Sequence, residues 1–505
     1  MLKSTSWFHS CLSRFVLAVP LGILLSSCGI APVTSAIYHD LRHPLPATQP
    51  GQNDASRMYS NQATVFTPSS DPELAAREIS RLIRSEETQG KKISVSGARH
   101  SMGGHTFTPG GVVINMLPVN RLSFDPSTHL LTAGAGARWS EVIPYLDSFG
   151  KSVAVMQSNN DFSIGGSISV NCHGWQPDSP PIASTVEAFT IVTADGKIRD
   201  CSRRQNPELF SLALGGYGLF GIITDVKLRV TDNARYRATT TRTSLSNYHS
   251  TYESMIHQHD AGMAYGRISV AKPSYLNEAL ITVLEKQSGE VNSNSPEASW
   301  LSKLKLQLAR KVFRSGVGNE YGKELRWNFE SHFGGTANST QDRNQIMNLS
   351  ADWFANRDPS RAEILHEYFV PPDSLDAFVE HAREIIPRYP QMDLLNITVR
   401  KVRADPDTYL RYARQDRYAL VILFNYANQQ TGDDQMRKLT QDLIDAVLAC
   451  DGSYYLPYRP HATLRQFQQA YPNASHFAAL KRKYDPTDRF SNLFWQKYLL
   501  PLAPK

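Results

Sequence analysis

The residues best suited to chemistry lie in two loops built from small side chains. The first, Val95-Ser96-Gly97-Ala98-Arg99-His100-Ser101-Met102-Gly103-Gly104-His105, follows an apolar strand-like segment and carries two histidines. The second, residues 158–174, begins at Ser158, holds Gly165-Gly166 and Ser169, and ends in Cys172-His173-Gly174. Gly97, Gly103 and Gly104 allow close backbone approach and positive φ, so successive N–H groups can converge on an anion. A pyrophosphate suits such a nest, although a turn after a strand has a similar composition. The histidines and cysteines lack ligand spacing, so no metal is expected.

The flanking sequence predicts the elements that position these loops. Residues 63–66 read as a strand, and Ser70-Asp71-Pro72-Glu73 opens a helix with cap, proline and acid in their favoured places. Leu74, Ile79, Leu82 and Ile83 give that helix an apolar face, and Ile93-Ser94-Val95 is the strand that delivers His100. A G-x-G-x-x-G occurs at Gly216-Tyr217-Gly218-Leu219-Phe220-Gly221, but residues 207–214 before it read as helix and 222–230 after it as strand. That order is the reverse of a dinucleotide fingerprint, which excludes NAD binding there.

From about residue 231 longer polar stretches mix with strands and helices, as in a second domain. Strands are predicted at 363–370, 394–402 and 419–426; in the second, Asn396, Thr398 and Arg400 alternate onto one face that either lines a pocket or is solvated. Residues 300–314 are basic and amphipathic, with Leu301, Leu304, Leu308 and Val312 at helical spacing. Such a helix packs on the second domain or lies on a membrane surface.

Taken in order, the two loops, Asn206-Pro207-Glu208-Leu209-Phe210, the segment 214–224, and Lys483-Tyr484-Asp485-Pro486 with Phe490 and Asn492 resemble the vanillyl-alcohol oxidase / p-cresol methylhydroxylase family of FAD-linked oxidoreductases. The resemblance implies an α+β fold: a PCMH-type, two-subdomain FAD-binding domain over 60–232, an α+β substrate or cap domain over 233–456, and a segment 457–505 returning to the FAD domain. It implies cofactor contacts at Gly97, Ala98, Arg99, His100, Ser101, Ser158, Gly165, Gly166, Ser169, Cys172, His173, Gly174, Gly221, Ile222 and Asn492. His100 matches the position that bonds the flavin 8α-methyl, with His105 as the rival; no cysteine lies near Ser158, so one covalent link is expected.

Cys172, of intermediate bulk at the flavin edge, leaves oxidase and dehydrogenase both open. Catalysis is expected of Glu367, Arg400 and Tyr458, and substrate contact of Glu367, Asn396, Thr398, Arg400, Tyr455 and Arg459; Tyr458 and Arg459 stand where relatives often supply a lysine. The implied reaction takes a hydride from a CH–OH carbon of a sugar, polyol, lactone or lipid-linked sugar to flavin N5, with electrons passing to oxygen, a quinone or a cytochrome. The rivals are an NADPH-fed flavin reductase and a non-catalytic saccharide-binding lipoprotein on the same fold.

At 505 residues the chain can bury more than one core, and a net charge of +6 without a long basic run argues against a nucleic-acid partner. Lys3 and Arg14 precede an apolar run over 15–25 that fits a signal peptide. Leu25-Ser26-Ser27-Cys28-Gly29 then looks like a bacterial lipobox, the alternative being a plain secretory signal. The lipobox reading gives a signal peptide over 1–27, lipidation of Cys28 and a tether over 28–59, which places the protein on the periplasmic side of the cell envelope, the outer membrane favoured. Of Cys172, Cys201 and Cys450, either one pair such as Cys201 with Cys450 is bonded or all three are free thiols.

Overall fold

The computed structural model describes residues 30–42, 54–55, 62–289, 291, 300–333 and 340–504. The signal segment, Cys28 and most of the expected tether lie outside the described residues. Within that tether the structure has a helix, Ile30–Arg42, where a plain linker was expected. It is pinned by Asp40, whose carboxylate meets the buried Arg310 guanidinium at 2.6 Å.

Three sheets carry the fold. The first is parallel: β1 (Thr64–Phe66) and β2 (Ile93–Ser96) flank β3 (Val112–Asn115). The helix Pro72–Arg84 joins β1 to β2; Asp71 Oδ1 accepts from Leu74 N at 3.0 Å and caps it. Its buried stripe is Ala75, Ala76, Ile79 and Ile83, while Leu74, expected on that stripe, is half exposed in the first turn.

The second sheet is antiparallel: β4 (Leu122–Asp125), β5 (Leu130–Gly134), β6 (Lys151–Val153), β7 (Val186–Val192), β8 (Ile198–Ser202) and β9 (Ile222–Asp232). Its order is β4-β5-β9-β7-β8, with β6 also on β9. The glycine-rich turn before β9 follows the helix Pro207–Ala213, so the G-x-G-x-x-G joins helix to strand, as its flanks predicted.

The third sheet holds β10 (Arg235–Ser244), β11 (Ala261–Ile268), β12 (Glu278–Gln287), β13 (Gln341–Asp342), β14 (Arg361–Val370), β15 (Asp393–Val402), β16 (Arg417–Ala427) and β17 (Ser453–Tyr454), in the order β13-β10-β12-β11-β15-β16-β14-β17. Period-two alternation decides which side chains of β14 face which layer. His366 and Tyr368 turn toward the helices Leu375–Ile385 and Gln430–Ala449, where His366 Nε2 meets Thr440 Oγ1 at 3.2 Å and Tyr368 packs on Phe378. Leu365 and Glu367 turn the other way, toward the two loops. This is an α+β chain with a two-sheet domain and a second domain, built on the third sheet, laid over it.

The basic helix Trp300–Ser315 is tied to the protein rather than left free. Arg314 reaches Glu363 on β14 at 2.6 Å, and Arg310 also donates to the carbonyls of Trp353 and Ala355. Among the described residues no helix is long and apolar enough to cross a membrane. Cys172, Cys201 and Cys450 are all free thiols, the third only partly buried.

Candidate active site

The two loops meet face to face. An ideal Cβ on Gly97 would fall 2.0 Å from Ser163 Oγ, which accepts from Ala98 N at 3.2 Å, so only glycine permits this approach. Arg99 follows with φ of +59°. The turn before β9 docks on the second loop, Gly215 N donating to Ile168 O and Tyr217 N to Ser169 O. These pieces line an open cavity that runs to the cap face of β14, β15 and β16.

Of the residues expected from sequence, Gly97, Ala98, Arg99, His100, Ser101, Ser158, Gly165, Gly166, Ser169, Cys172, His173 and Gly221 line this cavity at the loop end. Glu367, Arg400, Tyr455 and Tyr458 line it at the cap end. Among the described residues the buried hydroxyls of Ser101 and Thr106 have no hydrogen-bond partner. A buried hydroxyl without a partner is costly, and a polar ligand in the cavity satisfies it. Converging glycine loops and orphaned hydroxyls along one cavity fit a dinucleotide such as FAD.

The histidines differ in their surroundings. The His100 ring stacks on Phe162 with centroids 4.1 Å apart. Burial pushes its imidazole down against the opposing pull of Asp161 and Asp352, leaving a neutral ring at the cavity wall. The cap holds this wall in place: Asn160 N donates to Leu349 O at 3.0 Å and Ala351 N to Asp161 Oδ2 at 2.5 Å. His105 is packed between Tyr217 and Phe494, and burial pushes it down to about 4.

At the cap end, Glu367 is 3 % exposed and both of its oxygens are engaged. Oε1 lies 2.5 Å from His173 Nε2, and Oε2 accepts from the Tyr458 hydroxyl at 3.1 Å. Burial alone would raise the Glu367 carboxyl, but His173, Arg400 and the Tyr458 hydrogen bond together hold it below the ordinary carboxylate range. Arg400 donates to Ser158 Oγ at 2.5 Å, while its buried Nε has no partner. Burial pushes the Cys172 thiol up to about 12, so it is neutral. His173 is set by Asn171, a left-handed residue that donates to Asp405 Oδ2 at 2.9 Å and accepts from Ala183 N at 3.0 Å.

Six expected contacts lie outside the cavity. Asn396 accepts from Arg267 and Arg326 and donates to Thr398 Oγ1 at 3.0 Å, so both polar groups are spent on an arginine cluster farther along β15. Arg459, 8 % exposed, forms an ion pair with Asp433 on the helix Gln430–Ala449. Gly174 packs against Met156 O, and Ile222 is core. Asn492 holds backbone, donating to His105 O and Tyr217 O, each at 3.0 Å. Sequence reading missed Phe162, Gln157, Leu365 and Val421, all of which line the cavity. Phe162, beside the Gly165-Gly166 pair, carried the only local signal.

Loops that cradle a dinucleotide, opening onto a buried carboxylate, a tyrosine and an arginine, define a flavin-dependent oxidoreductase. The FAD binding domain family matches residues 71–202, and the D-arabinono-1,4-lactone oxidase family matches residues 226–499, more than half of the chain. The chain belongs to the D-arabinono-1,4-lactone oxidase family and is an FAD-dependent oxidoreductase acting on a CH–OH group. It is 24 % identical over 453 residues to an L-gulonolactone oxidase of Bos taurus, covering 86 % of this chain and 94 % of that protein. A cytokinin dehydrogenase 2 of Arabidopsis thaliana is 31 % identical over 188 residues, 36 % of this chain and 37 % of that protein. A decaprenylphosphoryl-beta-D-ribose oxidase of Mycolicibacterium smegmatis is 29 % identical over 165 residues, 32 % of this chain and 35 % of that protein.

Proposed function

We propose that this chain oxidises a hydroxyl-bearing carbon of a sugar-derived lactone or a close polyol relative, with Glu367, Tyr458 and Arg400 as the catalytic residues. The observation that carries the reading is the convergence of these side chains at the cap end of the cofactor cavity. FAD, when bound, supplies the two-electron acceptor. Arg400 offers a cation to a carbonyl or developing oxyanion of the substrate, and the Glu367–Tyr458 pair receives the hydroxyl proton. Tyr455 shapes the pocket; its hydroxyl is spent on Val170 O at 2.9 Å. Near-complete coverage of an L-gulonolactone oxidase supports a lactone substrate.

His100, neutral and stacked at the cavity wall, would hold the flavin through a covalent bond. Residues 1–28 support export and lipidation at Cys28, which would put this oxidation on the periplasmic side of the envelope, with oxygen or a membrane quinone or cytochrome taking the electrons. The test is turnover of purified protein on aldonolactones, polyols and free sugars with oxygen or an artificial acceptor. Flavin fluorescence in the acid-denatured band reports the link. Turnover of a lactone, with fluorescence lost in His100→Ala, supports the proposal; inertness toward the whole panel overturns the substrate reading, and fluorescence retained in the variant overturns the choice of His100.

A further inference from the structure

Glu367 lines the cavity but is only 3 % exposed, and each of its oxygens already accepts or meets one hydrogen-bond partner. Tyr458 is only partly buried and also lines the cavity. Its hydroxyl, the more exposed of the pair, links the substrate space to Glu367 Oε2 through a 3.1 Å hydrogen bond. His173 closes the far side: its Nε2 meets Glu367 Oε1 at 2.5 Å, its Nδ1 is buried with no partner among the described residues, and its ring is wedged against Phe369, Tyr412 and Tyr455.

We propose that the substrate proton leaves through Tyr458 to Glu367, and that His173 is the positioning residue that turns the carboxylate toward Tyr458. The proposal rests on the CH–OH oxidation reading above. As the C–H bond gives its hydrogen and electron pair to the flavin as hydride, the substrate O–H bond breaks and its proton passes to Tyr458 Oη. The original Tyr458 proton passes to Glu367 Oε2. The products are a carbonyl and a protonated Glu367; the two electrons reside on the cofactor. Donation from His173 Nε2–H to Oε1 leaves Oε2 as the accepting oxygen and blocks rotation of the carboxylate.

The groups facing Glu367 are consistent with this direction. Arg400 is the neighbouring fixed cation; Cys172, Tyr412, Tyr455 and the more distant Tyr471 are all pushed up by burial and stay neutral. None of them competes as a base.

The test compares flavin-loaded wild type with Tyr458→Phe, Glu367→Gln, the double variant, His173→Ala and His173→Gln. Tyr458→Phe and Glu367→Gln should each lower kcat by roughly 10²–10⁴ with flavin content retained, and the double variant should be no worse than the poorer single, as expected of groups acting as one unit. His173→Gln, whose amide can donate to Oε1, should recover at least tenfold over His173→Ala. A readout independent of turnover is the ¹⁵N spectrum of His173, which should show a protonated Nε2 and a bare Nδ1 and lose that signature in Glu367→Gln. Near wild-type kcat in Tyr458→Phe, additive losses in the double variant, or a His173 ring protonated on Nδ1 alone overturns the relay. Wild type inert on every substrate fails the oxidation reading itself, a result separate from active wild type with an unaffected Tyr458→Phe.

Discussion

His100 and His105 share one loop, and burial separates their tasks. His100 sits at the cavity wall on Phe162; His105 is enclosed by Tyr217 and Phe494 and pushed down from 6.5 to about 4. That depression is a stability term with a definite sign. Above about pH 6.5 neither folded nor unfolded chain holds the proton; between about 6.5 and 4 the unfolded chain binds it and the folded one does not, so stability is lost as pH falls through that window. Relative to pH 7 the loss at about pH 4.5 should be about 2–3 kcal/mol. Urea titrations of wild type and His105→Gln at the two pH values check it: the variant should lose less stability on acidification by that amount, and parallel losses would show that His105 is not buried neutral.

The elements place chemistry that residue types alone leave ambiguous. Arg459 and Tyr458 are neighbours on one loop, yet only Tyr458 faces the cavity; Arg459 crosses to Asp433 in the helix Gln430–Ala449, where His461 also approaches at 3.4 Å. Removing the carboxylate breaks a buried ion pair, so Asp433→Asn should cost about 3–5 kcal/mol. Its KM and flavin content should stay near wild type below the lowered Tm; a large rise in KM would return Arg459 to the substrate. The strands 363–370, 394–402 and 419–426 were legible because apolar alternation is local, and the two loops because small-residue runs are local. The same alternation put Asn396, Thr398 and Arg400 on one face but could not say how far along β15 the cavity reaches. Only Arg400 reaches it, and the other two meet Arg267 and Arg326, contacts set by tertiary packing. The His173–Glu367 pair was hidden for the same reason: its partners are 194 residues apart.

At the scale of the molecule, the last stretch of chain closes the cofactor domain. Ile93 N donates to Arg489 O at 2.6 Å and Ser491 N to Ile93 O at 3.0 Å, adding the returning segment to the edge of β2. Asn492 then joins three stretches distant in sequence: its Nδ2 donates to His105 O in the first loop and Tyr217 O in the glycine turn, and its Oδ1 accepts from Trp495 N at 2.9 Å. The residue is 2 % exposed, so water cannot replace these bonds. At Asn492 the structure shows a clamp on the cofactor loops. Asn492→Ala should leave two buried carbonyls and one N–H unsatisfied, at about 1–3 kcal/mol each before relaxation. Because two of those groups belong to different loops of the cavity, the loss should appear first as weaker flavin retention: in a His100→Ala background, where FAD is held without a covalent bond, Asn492→Ala should release FAD in gel filtration at lower urea than its parent, with the third sheet still folded by circular dichroism. Asn492→Asp, which keeps the acceptor for Trp495 N but loses the donors to both loops, should release flavin as readily as Asn492→Ala. If it retains flavin as its parent does, the clamp lies in the Trp495 turn and not between the loops.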